Sequence, residues 1–504
     1  MSTAAESVGK RHKCRVRFRL REVHSIVTAV VWFRRDLRLH DHPALCAALE
    51  GQDAVVPVFC LDDRLLHGRH ASGPRTQFLL ECLAGLDAGL AERGSGLVIR
   101  RGRPERVLAD LVRETGATEV HFTGDVTPYA RQRGLAVREA LTAAGAAQVP
   151  HPGLTVVDDA GALRTGDGGP YTMFTPFYRR WETAPRRVPL AAPEHVPGLS
   201  DVDSAPLPGL TDLGLTQEVK EPQRGGEEAA QDRLSWFLEG PIKRYARNHD
   251  TLDVDGTSRL GAYLHFGCLS PRAIEAALPD GDGPAAFRRQ LCWRDFYHHV
   301  QQHHPQNARL EHQERYRGTL RWVRDDRLFV AWAAGLTGFP LVDAAMRQLL
   351  REGWMHNRAR LVAGSFLTKH LGIDWRRGEA WFMRLLLDGD QANNNGNWQW
   401  TASVGVDPQP VFRRLYNPTR HLERYDPNGR YVRRYIPELR RVPQQYIAKP
   451  WTMPEDVQRT SQCVIDVDYP APIVDLAVSR AEALSRYGAA ASQAANPTNE
   501  RATV

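Results

Sequence analysis

An α/β domain followed by a large all-α domain is the fold class this sequence predicts, on three observations. Between Thr28 and about Val157, short β-branched runs alternate with longer amphipathic segments. Residues 185 to 222 carry seven prolines with little periodicity, and beyond about Glu227 the chain reads helical almost throughout. Repeated β–α alternation implies a parallel sheet covered by helices, here a five-stranded, Rossmann-like one. Aperiodic proline-rich stretches are connectors. The expected division is a disordered extension over 1–27, an α/β domain over 28–158, a connector over 159–226, a helical domain over 227–480 and a tail over 481–504.

Each element follows from its own residues. The strands are AVVWF (29–33), AVVPVF (54–59), GLVIR (96–100), EVHFT (119–123) and TVVD or its neighbourhood (155–158). Between them PALCAALE, PRTQFLLECLAGLDAGLAER, PERVLADLVRETG and TPYARQRGLAVREALTAAG place apolar residues at helical spacing, with prolines near the first turn. Ligands of such sheets lie beyond the strand carboxyl ends. No G-x-G-x-x-G follows a strand and no G-x-x-x-x-G-K-[ST] occurs, so a phosphate loop is not indicated. In the helical part SPRAIEAAL carries a cap, and FPLVDAAMRQLLREG ends in a glycine stop. The segment after about Ala489 is small and polar and is expected to fray.

Composition excludes several classes. With 504 residues, 42% hydrophobic and 25% charged, the chain is that of a globular protein. No stretch approaches eighteen uninterrupted apolar residues, and the basic leader lacks the apolar run of a secretory signal, so the cytoplasm is expected and a membrane is not. The seven cysteines contain no C-x-x-C pair, which argues against zinc or a disulfide framework. A net charge of +7 suits an anionic partner. Between Arg413 and Arg441 nine arginines face three acids, interleaved with Tyr416, Tyr425, Tyr431 and Tyr435, which fits either a solvated surface or one that meets nucleic acid.

Eight of the twelve tryptophans fall between positions 293 and 400. Trp332, Trp354 and Trp381 are placed on apolar helical faces and read as core. The run DGDQANNNGNWQW (388–400) is different. Residues two apart on a helix point about 200° away from each other, so Trp398 and Trp400 must meet different environments, which lets one line an inner cofactor and the other a second surface. In GWMHNRARL (353–361), Asn357, Arg360 and Leu361 share one helical face. A buried arginine needs a carboxylate, and Asp388 and Asp390 are the candidates. Asn394 adds a neutral acceptor and donor able to follow a heteroaromatic ring through protonation changes. An asparagine run is ordinarily a turn or cap, but acids and indoles on both sides favour a redox heterocycle.

These residues lie in motifs that resemble the cryptochrome/photolyase flavoproteins: VVWFRRDLRLHDHPAL (30–45), GTSRLGAYLHFGCLSPR (256–272), CWRDFYHHV (292–300), MRQLLREGWMHNRARL (346–361), DGDQANNNGNWQW and YNPTRHLERYDPNGRYVRRYIPEL (416–439). The likeness runs from about Thr28 to the 470s and is greatest to microbial class I cyclobutane pyrimidine dimer photolyases. It implies an antenna-binding α/β domain and a helical domain holding FAD, acting on DNA that contains pyrimidine dimers, with a monomer expected. By position, Tyr245, Thr257, Ser258, Arg259 and Leu260 match residues at the FAD phosphates and ribityl. Arg294, Asn357, Arg360, Asp388, Asp390 and Asn394 match those around the isoalloxazine, with Arg360 and Asp388 as an ion pair and Asn394 opposite N5. Trp398, Trp375 and Trp322 match an electron relay. Gln290, Trp293, Asn357, Arg358, Leu361, Trp400 and Arg413 match the lesion pocket and its flanking phosphates.

Two positions depart from the pattern: Gln290 stands where many members carry glutamate, and Leu361 where many carry methionine. An amide still hydrogen-bonds a thymine carbonyl but donates no carboxylic proton. His356 followed by Asn357 disfavours the six-four photolyases, which pair histidines in this helix. For the antenna, DVTPYARQR resembles 8-hydroxy-5-deazaflavin binders more than methenyltetrahydrofolate binders. Arg35, Asp36 and Asp125 are candidates to contact it, although Arg35 and Asp36 equally suit a strand-end salt-bridge network. A cryptochrome-like photoreceptor and a DASH-type cryptochrome are the rival functions. Residues 1 to 26 match nothing in the family, which suggests that an upstream start codon was assigned.

Overall fold

The computed structural model describes residues 27–495. Strands β1 (Thr28–Phe33), β2 (Ala54–Leu61), β3 (Val98–Arg101), β4 (Glu119–Thr123) and β5 (Ala147–His151) form one parallel sheet in the order β3-β2-β1-β4-β5. The central β1 is buried along its whole length, which is why it reads as an unbroken apolar run. Period-two alternation sends Val30 and Trp32 into a core beneath helices Pro104–Thr115 and Pro128–Ala143. It sends Ala29, Val31 and Phe33 into a larger core that continues through helix Gly73–Ala91 into the helical part at Phe237, Phe287 and Phe296. The two parts therefore share one core on that face of the sheet.

Three expectations need correction. The fifth strand is Ala147–His151, not 155–158. AQVPH is half-exposed and contains a proline, an edge-strand composition with a weak apolar signal. The more strand-like TVVD has its backbone donors taken elsewhere: Asp295 accepts from Val156 N at 3.0 Å and Val157 N at 3.2 Å. Second, the connector contributes to the fold, because its helix Phe174–Glu182 packs against helix Asp282–His303. Third, the segment after Ala489, expected to fray, continues a helix, Leu476–Ala495, to the end of the described residues. Its buried positions Ser479, Ala483, Tyr487 and Ala490 are spaced as a helical stripe, hidden from an apolar search because most are small. The readings for 1–26 and 496–504 lie outside the described residues.

A second core gathers helices Asp326–Ala334, Pro340–Glu352, Asn357–Ser365, Trp375–Leu385 and Gln391–Thr401 around Trp332, Trp375 and Trp398. Helix Pro340–Glu352 stops at Gly353, whose φ of 61° is open to glycine at little cost. Helix Asn357–Ser365 runs on into a π-helical turn, Phe366–His370, a wide turn that often marks a functional site. Of the tryptophans assigned to packing, Trp332 is fully enclosed. Trp381 is only half-buried, and Trp354 lies half-buried on the loop after Gly353, because the helix has already ended there. Among the described residues no helix is long and apolar enough to cross a membrane.

Candidate functional site

The loop before helix Gln391–Thr401 brings the two acids together with four arginines. Arg360 donates to both oxygens of Asp388, at 3.1 and 2.8 Å, while its Nε donates to Met355 O at 2.8 Å. Gly261 lets the Asp388 loop approach: a Cβ there would sit 2.5 Å from Asp388 Oδ2. Arg75, from the α/β domain, donates to Met383 O and to Leu386 O just ahead of that loop. Asp390 caps the helix through Asn393 N at 2.8 Å and accepts from Arg35 with its other oxygen. Burial alone would raise the Asp390 carboxyl, but Arg35 beside it holds it well below the usual range. Burial, helped by Arg35, pulls His265 down to about 4, and burial pulls His298 to about 4, so both rings are neutral at pH 7. Arg294 donates to Leu154 O at 2.5 Å and Leu264 O at 3.2 Å.

This arrangement corrects the antenna candidates. Arg35 is a strut between sheet and helical domain, bonded to Asp390 and, through Nε, to His265 O at 3.0 Å, with Asp125 at 3.6 Å. Asp36 is fully enclosed, accepting from Arg34 N at 2.6 Å with His42 Nε2 at 3.2 Å, and has no open face. The salt-bridge alternative thus describes both residues. On the other side of β1, Arg34 and Arg133 lie 4.8 and 4.9 Å over the Trp32 ring, and the Nε of each is buried without a partner. Sequence reading missed this pair, since nothing in the spacing of Arg34 and Arg133 joins them.

Around the remaining cofactor candidates, Asn394 is buried and donates to Glu379 O at 3.1 Å. Tyr245 is buried beside His249, at 5.3 Å between rings, and edge-on to Phe287. Thr257 and Ser258 stand half-buried in the loop before helix Gly261–Phe266, their carbonyls held by Arg233, and Leu260 is buried beneath. Arg259, at φ 53°, turns its side chain to Glu352 at 3.2 Å and lies 4.0 Å over Trp354, in a groove also lined by Arg233 and Tyr263. A bidentate Arg–Asp pair, a buried amide, neutral imidazoles and a glycine-permitted close approach suit a flat heterocycle of variable charge.

The indoles are held differently. Trp398 is enclosed, edge-on to Phe382 at 4.9 Å and Trp332 at 6.2 Å; Gly378 and Gly364 admit it, since a Cβ at 378 would meet the indole at 2.2 Å. Trp375 is fully buried, and Trp322 is half-buried with Tyr487 edge-on at 6.4 Å. Trp293 and Trp400 are half-buried. Phe174 stacks on Trp293 at 3.7 Å and 2°, and the Arg414 guanidinium lies 4.0 Å over Trp400. Neither backing residue was found from sequence: Phe174 lies in the connector and Arg414 is one of a run.

Gln290 is exposed, one turn from Trp293 on helix Asp282–His303. Asn357, exposed, and Leu361, half-buried, begin the Asn357–Ser365 helix. Arg358 pairs with Asp250 at 2.6 Å, which offsets its charge, whereas Arg413 is exposed and donates only to Gln409, at 2.7 Å. In the arginine-rich run Tyr431, Tyr435 and Arg414 are buried, while the other arginines and the half-buried Tyr416 and Tyr425 face outward.

Residues 287–489 match the family described as the FAD binding domain of DNA photolyase, and residues 29–195 match DNA photolyase. A deoxyribodipyrimidine photo-lyase of Streptomyces griseus is 43% identical, over 90% of this chain and 97% of the relative. A cryptochrome DASH of Gloeobacter violaceus is 37% identical, over 92% and 97%. The solved bacterial class III photolyase from Agrobacterium tumefaciens has a TM-score of 0.88 at 34% identity, covering 94% of this chain and all of that one.

Proposed function

The chain belongs to the cryptochrome/photolyase family, and on that footing we propose how its residues serve the light-driven repair of cyclobutane pyrimidine dimers in DNA, with FAD as cofactor. FAD when bound supplies a light-excitable one-electron donor. Asp388 with Arg360, Asp390 with Arg35, and Asn357, Asn394 and Arg294 hold and orient its ring. Tyr245, Thr257, Ser258, Arg259 and Leu260 hold its other end. Trp293 and Trp400 stack on a flipped-out dimer, which is cheaper to extrude than normal bases because it is already poorly paired. Gln290 and Asn357 meet the base edges, Leu361 fills the pocket floor, and Arg358 and Arg413 meet phosphates. The observation that carries this reading is the single helix Gln391–Thr401, which joins flavin-type ligands at its start to a half-buried indole at its end. The test is to irradiate photoreduced protein with dimer-containing duplex in blue light and follow thymine absorbance. No recovery would leave the photoreceptor reading, which needs the flavin but not the lesion pocket.

Trp398, Trp375 and Trp322 run from enclosed to half-exposed, the order a relay to solvent needs. Trp322→Phe should therefore block photoreduction of oxidised FAD and leave repair by chemically reduced protein intact. Equal loss of both would remove the relay role.

Trp400 and Arg413 should bind DNA in separable ways. Trp400→Ala should cost about 1–3 kcal/mol, roughly 5- to 150-fold in Kd, on dimer-containing DNA alone. Arg413→Ala should weaken damaged and undamaged DNA alike and make the salt dependence shallower by about one unit of log–log slope. Equal weakening of both DNAs by Trp400→Ala would reject the pocket assignment.

For the antenna, an 8-hydroxy-5-deazaflavin is favoured because Arg34 and Arg133 place two charges with unpartnered Nε groups against Trp32, which suits a planar anion. Arg133→Ala should remove the second chromophore's absorption and keep that of FAD; an unchanged spectrum would place the antenna elsewhere.

A further inference from the structure

Two tryptophans two residues apart on one helix differ in one respect that bears on electron transfer. Trp398 packs against Phe382, Trp332 and the bare backbone of Gly378 and Gly364, and among the described residues no cation–π contact to its ring is found. Trp400 carries a guanidinium 4.0 Å over its face. Arg414 is buried, donates to Trp400 O at 3.1 Å and is bonded to Asp407. Its counter-ion is the more exposed partner: the Asp407 side chain is 25% accessible against 3% for Arg414, so solvent screens the anion more than the cation. A buried lysine lies beside it, its amine pushed well below the usual lysine range by burial and by the neighbouring Arg414. The π-helical turn points Lys369 into the core, where Nζ donates to Thr401 O at 2.6 Å, Arg414 O at 2.9 Å and Ser403 Oγ at 3.0 Å, with no carboxylate bonded to it.

The plain account of Arg414 and Lys369 is that they cap the carbonyl end of helix Gln391–Thr401. A cap explains the bonds to the Trp400 and Thr401 carbonyls, but it does not require the guanidinium plane to lie on the indole. A cation on the face of a π system stabilises its electrons and opposes their removal.

We infer that Arg414 decides which tryptophan of this helix gives up an electron, by keeping Trp400 reduced and leaving Trp398 as the donor. The inference rests on the proposed flavin site. One electron leaves an indole and is taken by photoexcited oxidised FAD; no bond is made or broken. The hole left on Trp398 passes outward through Trp375 and Trp322 and is filled by an external thiol reductant. A hole on Trp400 would instead sit in the lesion pocket, off the relay. Trp400 lines the pocket into which the cofactor must donate, so distance alone does not remove it as a competitor. Arg414 is accordingly a positioning residue that acts through Trp400.

The test uses full-length protein loaded with oxidised FAD and reads the flavin fluorescence lifetime together with tryptophan-radical absorption. Trp398→Phe should lengthen the lifetime several-fold. Adding Arg414→Met should shorten it again several-fold with a radical signal, adding Trp400→Phe should cancel that shortening, and Arg414→Lys should leave the lifetime long. A purely structural cap would not produce a radical that depends on Trp400. An unchanged lifetime on adding Arg414→Met overturns the inference while the relay stands; an unchanged lifetime in Trp398→Phe alone overturns both. If Arg414→Met does not retain flavin, Arg414→Gln, which keeps a donor for the Trp400 carbonyl, decides in the Trp398→Phe background: the lifetime should shorten with a radical that depends on Trp400, and no shortening overturns the inference.

Discussion

Asp295→Ala is expected to lower global stability by about 3–5 kcal/mol, because it strands three buried donors at roughly 1–3 kcal/mol each, with partial relief from water. Asp295 is wholly enclosed and accepts from Val156 N, Val157 N and, at 2.8 Å, Trp181 Nε1. It thereby ties the segment leaving the sheet and the connector helix to helix Asp282–His303. Asp295→Asn should fall short of full rescue, since its amide group would face a donor. The effect also has a pH signature. Burial raises the Asp295 carboxyl from 3.8 to about 6, so the folded state binds the proton more tightly than the unfolded chain. Its contribution is therefore greatest below pH 4 and declines as pH rises through 6. The gap between wild type and Asp295→Ala should be wider at pH 5 than at pH 7 in urea titrations. A gap under about 1 kcal/mol at both pH values would contradict the argument.

Asp388→Ala should be nearly as severe at the cofactor. Removing the carboxylate leaves Arg360 with only the Met355 carbonyl in a partly enclosed site, at a cost of about 3 kcal/mol, or roughly 100-fold in FAD retention. The ratio of flavin to protein absorbance after purification and titration of apoprotein with FAD measure this directly. Asp388→Asn, which keeps one acceptor, should retain more flavin than alanine. An unchanged ratio in Asp388→Ala would remove Asp388 from the site.

The sheet was legible in sequence because β1 and β2 are enclosed along their whole length and read as apolar runs, and because β4 keeps apolar Val120 and Phe122 between its polar positions. The fifth strand was not, because an edge strand carries a proline and half-exposed polar residues, while the apolar TVVD owes its burial to Asp295 far along the chain. That Arg360 pairs with Asp388 or Asp390 was legible because a buried guanidinium demands an acid and few acids were at hand; the resemblance chose Asp388. Which of its two readings Arg35 follows was not legible: its partner Asp390 lies 355 positions away, and strand-end arginines look alike whichever domain they face. Phe174 and Arg414 left no signal, since both matter through a ring face that only the folded chain presents. The helix Leu476–Ala495 was hidden by its small buried side chains, and Tyr487 against Trp322 was hidden with it.

Arg35, Arg75 and Arg294 all bond across the junction between the sheet domain and the helical part. The consequence is for modular engineering. Transplanting a foreign α/β domain onto this helical body would strip Asp390 of its counter-ion, leave the Met383 carbonyl without the Arg75 donor and leave the Leu386 carbonyl with Gly389 N alone. A chimera joined anywhere in the proline-rich stretch would need arginine at the positions of Arg35 and Arg75 to remain intact, however well its sheet folded. Which α/β domains are interchangeable on this scaffold thus turns on two side chains, and a pair of point substitutions is the first repair to try in a failed graft.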